Sequence, residues 1–417
     1  MPPISLLVVG AGVRGSNYAS YALHHPEEVR VIGVAEPRAW WRDRLVDEHD
    51  MSDEYVFADW REAAALPRFA NAVIITTQDA MHVGPAIAFA NKGYHILLEK
   101  PMAPDEEGCR RIVEAVKANG VTLAVCHVMR YTRYTQMLKS IVDAGRIGEV
   151  VSMQHLEPVG YWHQAHSYVR GNWRNEALSS PMLLAKSCHD LDWIRYIMGK
   201  QCTQVSSFGS LKHFRAEERP EGAADRCLDC PVEPDCPYSA RRIYLRFLER
   251  GVRRWPLEVL TPDISEEGVL AALRDGPYGR CVYACDNDVV DHQVVNMNFV
   301  DGSTASFTMT AFTKQRNRET RLFGTRGEIY GDGQFIHIFD FLTEQTEVID
   351  TEGSVDGSIL SGHGGGDRGV MQSFVAAVGQ GDASRVLSGP DESLETHLMV
   401  FAAERARHEG RVVDVTL

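Results

Sequence analysis

Glu99-Lys100-Pro101 closes a short apolar run, and it supplies the amine best placed for chemistry. Oxidising an alcohol needs a hydride acceptor and a group that takes the hydroxyl proton. A lysine at the mouth of a sheet, its pKa lowered by desolvation, suits the second task. A surface ion pair between Lys100 and Glu99 is the competing reading. A second grouping, Lys186-Ser187-Cys188-His189-Asp190-Leu191-Asp192, offers an amine, an imidazole and two carboxylates in one stretch. Lys186 and Asp190 could instead be solvated groups at a helix cap. His155, His163 and His166 are followed by Arg170, Asn172 and Trp173. A loop of that composition offers hydrogen bonds for hydroxyls and a flat apolar face for a sugar ring. Loop packing and metal binding are the alternatives for these histidines. Gly362-His363-Gly364-Gly365-Gly366-Asp367 can fold closely around a ligand, or be a surface loop.

A hydride acceptor has its own signal. Gly10-Ala11-Gly12-Val13-Arg14-Gly15 reads G-x-G-x-x-G between a strand and a helical stretch, and Glu36 ends the second strand. The glycines give a tight turn, close backbone approach to a pyrophosphate, and close helix–strand packing. A carboxylate at Glu36 accepts from both ribose hydroxyls and repels a 2′-phosphate, which favours NAD over NADP. Arg38 works against that preference, because an arginine can hold the phosphate. Thr76, Thr77, His82, Glu99 and Lys100 join Gly10, Gly12, Val13, Arg14, Gly15 and Glu36 as expected cofactor contacts.

Cys227-x-x-Cys230-x5-Cys236 has the ligand spacing of a zinc loop, and prolines at 231 and 237 stiffen it. Cys281, or else Cys285, would be the fourth ligand of a structural zinc holding an insertion with little core of its own. Free thiols are the alternative. Cys109, Cys126, Cys188 and Cys202 read as packing residues.

The elements that position these groups alternate at first. Short apolar runs at Ser5–Gly10, Arg30–Ala35, Ala72–Thr76, Tyr94–Leu98 and Val121–Cys126 are separated by helical stretches such as Pro85–Lys92 and Asp105–Ala118. That pattern predicts a doubly wound parallel sheet over residues 1–127. In residues 128–417, strands at Glu149–Glu157, Gln204–His213, His292–Val300, Thr304–Thr310 and Thr320–Phe323 predict a large, mostly antiparallel sheet. Helices at Asp190–Met198 and Gly369–Val378 are expected to pack on it, and a Cys-rich insertion to span about 215–285. The fold class is α/β followed by α+β.

A net charge of −14 argues against nucleic acid as a partner. No run approaches the roughly 20 apolar residues of a membrane span, and Met1 to Gly10 lacks a signal peptide's basic start, so a cytoplasmic protein is expected. An open sheet would leave an apolar face, which predicts a homodimer or homotetramer.

With the glycine loop, Glu99-Lys100-Pro101 resembles the Gfo/Idh/MocA oxidoreductase family, and the likeness runs over essentially the whole chain. The resemblance implies an NAD-dependent enzyme in which Lys100 lies near nicotinamide ribose and substrate, with a cis bond to Pro101. Residues 185–192 look like the family's D-x-G-x-H-x-x-D segment, His189 and Asp192 matching its last two positions. Ala185 and Ser187 stand where the family often has Asp and Gly. That departure makes Lys186 with His189 the expected acid–base pair, alongside Lys100. His363 to Asp367 is similar to an H-G-G-x-D segment of NAD-dependent glycoside hydrolases with this fold.

Two reactions are then open, and a non-catalytic regulatory protein is a third reading that the intact motifs oppose. One is net dehydrogenation of a sugar or polyol. The other, slightly favoured, is a redox-neutral glycoside hydrolase: oxidation at C3, loss of the C2 proton and the C1 substituent, water addition, and re-reduction. Arg130, His163, His166, Arg170, Trp173, Lys186 and His363 are the expected substrate contacts. Family members of this kind include enzymes acting on sulfoquinovosides, and Arg130, Arg170 and Lys186 could bind such an acidic group.

Overall fold

A computed structural model describes residues 2–351 and 364–416. The N-terminal sheet has six strands: β1 (Ile4–Val9), β2 (Val29–Ala35), β3 (Val56–Phe57), β4 (Ala72–Ile75), β5 (His95–Leu98) and β6 (Leu123–Val125). They lie parallel in the order β3-β2-β1-β4-β5-β6. Leu6, Leu7, Val8 and Val9 of β1 are buried on both faces, as helix-covered strands must be. Strand order reverses between β1 and β4, so a crevice opens beyond their carboxyl ends, where the glycine loop and Thr76 stand. Strand β3, two residues long, was too short to show in the sequence pattern.

The second sheet has nine strands: β7 (Val150–Pro158), β8 (Cys202–Ser210), β9 (His292–Phe299), β10 (Thr304–Thr310), β11 (Glu319–Gly324), β12 (Gly327–Gly331), β13 (Phe335–Asp340), β14 (Gln345–Asp350) and β15 (Val413–Asp414). Their order is β14-β13-β12-β11-β7-β10-β9-β8-β15, and only the β7–β10 pair is parallel. Strand β10 shows why one face is covered: Ala305, Phe307 and Met309 point inward, and Thr304, Ser306, Thr308 and Thr310 outward. The inward set packs with Trp193, Ile194 and Ile197 of the helix Cys188–Met198 and Met399, Val400 and Ala403 of the helix Pro390–Glu409. Removing a ring as buried as Phe307 would cost about 3–5 kcal/mol.

One expected packing is corrected. The helix Gly366–Gln380 leaves the second sheet and buries Val370, Met371, Phe374 and Val375 against Leu6, Val8, Tyr18 and Tyr21 of the first. Its apolar stripe completes the Rossmann core. The insertion also has more core than its sequence suggested. Two helices, Ala240–Glu249 and Glu266–Asp275, bury Ala240, Ile243, Tyr244, Leu257, Val269 and Leu273 together with Cys227. An isolated antiparallel bridge between Arg226 and Arg280 closes its neck. Among the described residues, no helix is long and apolar enough to cross a membrane.

Candidate active site

The glycine loop fits a dinucleotide. Gly10 has φ +91°, and a Cβ there would lie 2.7 Å from the Thr76 carbonyl oxygen. A Cβ on Gly15 would come within 2.0 Å of the Gly10 oxygen, so the third glycine is a packing requirement. Gly12 caps the helix Val13–His24 without a side-chain hydrogen bond, leaving its first N–H groups for an anion. At the crevice edge, the Thr77 hydroxyl oxygen is buried without a partner. Thr76 is occupied differently: its hydroxyl donates to the Gly10 carbonyl at 2.5 Å and holds the loop against β4.

Glu36 is buried at the end of β2 and accepts from the Ala11 N–H at 2.9 Å. Arg38 grips it with Nε at 2.7 Å and Nη2 at 2.9 Å. Burial alone would raise this carboxyl, but the hydrogen bonds and charge of Arg38 outweigh it and hold Glu36 below the usual carboxylate range. The arginine that could have welcomed a 2′-phosphate is thus neutralised in place.

Three expected cofactor contacts have other work for their side chains. Arg14 bonds Glu99 at 2.5 Å and spans to Asp367 at 2.8 and 3.1 Å, with its guanidinium 4.6 Å from the Tyr18 ring. It ties the glycine-loop helix to the helix Gly366–Gln380. Glu99, besides Arg14, accepts from the Lys100 N–H at 2.6 Å. His82 bridges two carbonyls, Pro101 at 2.7 Å and Thr77 at 3.1 Å, and so fixes the turn carrying Lys100. The Lys100–Pro101 bond is cis.

Lys100 reaches across the crevice, donating from Nζ to the Ala185 carbonyl oxygen at 2.6 Å. Ala185 ends the short helix Met182–Ala185, Lys186 follows it, and His189 sits in the first turn of the next helix. That contact sets Lys100 beside the backbone that carries Lys186. Lys186 lies 3.1 Å from Glu157, and Arg318 ion-pairs with Glu157 at 2.8 Å and Asp190 at 2.6 Å. His155 backs Asp190 at 3.2 Å and Thr320 at 2.7 Å. Burial lowers the Lys186 pKa, and Glu157 recovers part of the loss. Burial, reinforced by Lys186, holds the pKa of His163 well below the usual imidazole range and keeps the ring neutral.

Glu157 and Arg318 were not singled out from the sequence. Each sits at a strand end with no local motif; the two-residue periodicity of β7 marks Glu157 as inward-facing, the one signal available. Asp79, accepting from Ser179 and Ser180 at 3.3 and 3.2 Å, was also missed.

Several expected substrate contacts are engaged elsewhere. Arg130 is buried in a two-bond pair with Asp192 at 2.8 and 2.7 Å, beside His127. The expected loop around 163–170 is a π-helical stretch, Gln164–Arg170, that carries its side chains inward. His166 bonds the Tyr244 hydroxyl at 2.8 Å and stacks on Tyr278, and Arg170 bonds the Arg280 and Tyr238 carbonyls at 2.7 and 2.8 Å. Both are held by the insertion because its aromatic wall folds over them. Trp173 is 37% exposed, its ring 6.1 Å from Tyr168. His363 lies outside the described residues. Cys227, Cys230, Cys236 and Cys281 form no disulfide, and among the described residues no three cysteine sulfurs lie within 4.8 Å of one another, so no closed tetrahedral set is preformed.

Comparison with known proteins agrees with this geometry. Residues 4–127 match the model of an oxidoreductase family's NAD-binding Rossmann fold, and residues 139–415 match that family's C-terminal alpha/beta domain. An inositol 2-dehydrogenase of Pseudomonas savastanoi is 28% identical over 72% of this chain and 87% of its own. A 2,7-anhydro-N-acetylneuraminate hydratase of Escherichia coli is 26% identical over 49% of this chain and 53% of its own. A crystal structure of an Agrobacterium radiobacter oxidoreductase in complex with NAD+, L-tartaric acid and magnesium superposes with a TM-score of 0.71 at 14% identity, covering 99% of this chain and 98% of that one. With both halves matched in order around a fitting dinucleotide crevice, the chain belongs to the Gfo/Idh/MocA family of NAD-dependent oxidoreductases.

Proposed function

We propose that this enzyme oxidises a ring hydroxyl of a sugar or cyclic polyol, with Lys100 as the base that takes the hydroxyl proton. The observation that carries the reading is the position of Lys100: its Nζ, 2.6 Å from the Ala185 carbonyl, stands between the glycine loop and the second-domain wall of Lys186 and His189. When bound, NAD supplies the hydride acceptor. Glu36 and Gly12 would hold it at the adenosine ribose and the phosphates, and Thr77 lies at the crevice edge. Lys100 draws the proton from oxygen as the hydride leaves the same carbon, and the Ala185 carbonyl steadies the ammonium so formed. Lys186, lowered by burial, and His189 flank the ring.

The nearby cations favour a neutral substrate. Lys186 and Arg318 are matched by Glu157 and Asp190, and Arg130 by Asp192, which leaves little net positive charge for a sulfonate or carboxylate.

A redox-neutral glycosidase is a second reading, favoured by the ion pair Lys186–Glu157 at 3.1 Å. Net oxidation needs one base; elimination after oxidation needs another pair to take the C2 proton and return one to the leaving group. The hydratase relative points the same way. An assay on inositols, free pyranoses and aryl pyranosides, following NADH absorbance and aglycone release together, separates the two. NADH rising in step with oxidised ring supports net dehydrogenation; aglycone release far above accumulated NADH, and lost without NAD, supports the neutral cycle. No NAD-dependent change in any of them would count against both.

The outer sheet face suits self-association. Val151, Phe208 and Val294 are exposed there among threonines, serines and asparagines, a mixed surface for a second copy of the chain. Sedimentation at micromolar concentration should give a dimer or tetramer, and a monomer would refute this.

A further inference from the structure

Arg170 is 1% exposed, and its charge has no answer among the described residues. Its Nε donates to the Arg280 carbonyl at 2.7 Å, and Nη2 donates to the Tyr238 carbonyl at 2.8 Å and to the Cys227 sulfur at 3.5 Å. Nη1 is buried with no partner. Carbonyls satisfy a guanidinium's hydrogen bonds but not its charge, and burying an unpaired cation is costly. What surrounds Arg170 instead is sulfur.

The fold gathers that sulfur from both sides of the insertion. The Arg226–Arg280 bridge, with the Cys281 N–H on the Asp225 carbonyl at 2.8 Å, sets Cys281 beside Cys227 across the neck. Backbone N–H groups point at the sulfurs: Ala240 at Cys227 (3.4 Å), Tyr238 at Cys236, and Tyr283 at Cys281. Cys230 caps the turn that begins at Cys227, the C-x-x-C spacing of a ligand pair, and supplies the fourth sulfur.

We propose that Cys227, Cys230, Cys236 and Cys281 bind a zinc ion as thiolates, and that Arg170 is the buried counter-charge of that centre. A divalent ion in four thiolates keeps an excess of negative charge, which is what Arg170 lacks. The sulfurs must close in by side-chain rotation to reach Zn–S distances of about 2.3 Å. All four positions are filled by sulfur, so the ion is structural. Its consequence for the active site runs through the insertion: Tyr244 holds His166 at 2.8 Å, and Trp255 packs 5.2 Å from His163 and 5.3 Å from Trp162. Zinc thereby braces the wall beside Lys186. The proposal stands apart from the assignment of the reaction.

The test uses the full chain purified without chelator and dialysed against zinc. Elemental analysis should find about one zinc per chain. Alkylation with peptide mapping should show Cys227, Cys230, Cys236 and Cys281 protected until a chelator is added, while the other cysteines keep their reactivity. Arg170→Met should weaken zinc binding about 10-fold or more, as outer-sphere losses do. No metal with unchanged alkylation after zinc dialysis would overturn the site. Iron with labile sulfide would overturn the zinc assignment. Unaltered zinc affinity in Arg170→Met would overturn the counter-charge role.

Discussion

Replacing Lys100 by methionine keeps the length of the side chain and removes the atom that can take a proton. Turnover should fall about 10²- to 10⁴-fold, the usual worth of a positioned acid–base group. NAD affinity, read by fluorescence titration, should change little, because Glu36 and the glycine loop do the holding. Unchanged turnover, or a fall accounted for by lost NAD binding alone, would refute the role. Glu36→Gln should release Arg38, now bound at 2.7 and 2.9 Å, toward a 2′-phosphate. The NAD over NADP preference in kcat/KM should fall at least tenfold, since a missing charge-assisted bond costs about 1.5–3 kcal/mol; an unchanged ratio would contradict it. At this scale the sequence was most legible where a short motif fixes a backbone shape, as in Gly10–Gly15 and Glu99–Pro101. It was silent where partners come from distant strands. Glu157 and Arg318 meet Lys186 and Asp190 only through the second sheet. Arg130 and Arg170 look like free cations until burial gives them Asp192 and the insertion's carbonyls.

Between elements, the clamp Arg14–Glu99–Asp367 joins the glycine-loop helix to a helix more than 350 residues later in sequence. Arg14→Met would remove the cation that two buried carboxylates share, a loss of about 3–5 kcal/mol by the usual cost of breaking a buried pair. Chemical denaturation should show that destabilisation, with a larger KM for NAD because the loop loses its anchor. A change below about 0.5 kcal/mol would mean solvent screens the pair. Helix and strand positions were largely readable, since 3.6- and 2-residue periods report burial directly. The partner of an apolar stripe was not: the helix Gly366–Gln380 shows a clear one but does not say which sheet it covers. The π-helical stretch Gln164–Arg170 was hidden for a related reason, because the contacts that hold it come from the insertion.

Across the whole molecule, imidazoles are buried both beside the first sheet and under the insertion. His127 and His166 are pushed down to about 3 and His397 to about 4, chiefly by burial. An unfolded chain binds a proton at each near pH 6.5. The unfolded state therefore takes up more protons as pH falls from about 6.5 toward these values, and stability declines over that window. Each histidine contributes a slope of up to about 1.4 kcal/mol per pH unit below its unfolded pKa. Thermal unfolding should show Tm flat near neutrality and dropping steadily from pH 6.5 to 5; a Tm unchanged to pH 5 would deny that these rings are buried neutral. The two-sheet architecture was visible in the sequence because alternation of strand and helix, then strand after strand, leaves few topologies open. The account's central claim is that Lys100 deprotonates a ring hydroxyl as its hydride passes to NAD. Its most direct test is single-turnover NADH formation with an inositol or pyranose, comparing the native enzyme with Lys100→Met. The account predicts an NADH burst in the native enzyme and a burst slowed at least 100-fold in the variant. Equal bursts in the two proteins, with NAD bound to both, would contradict it.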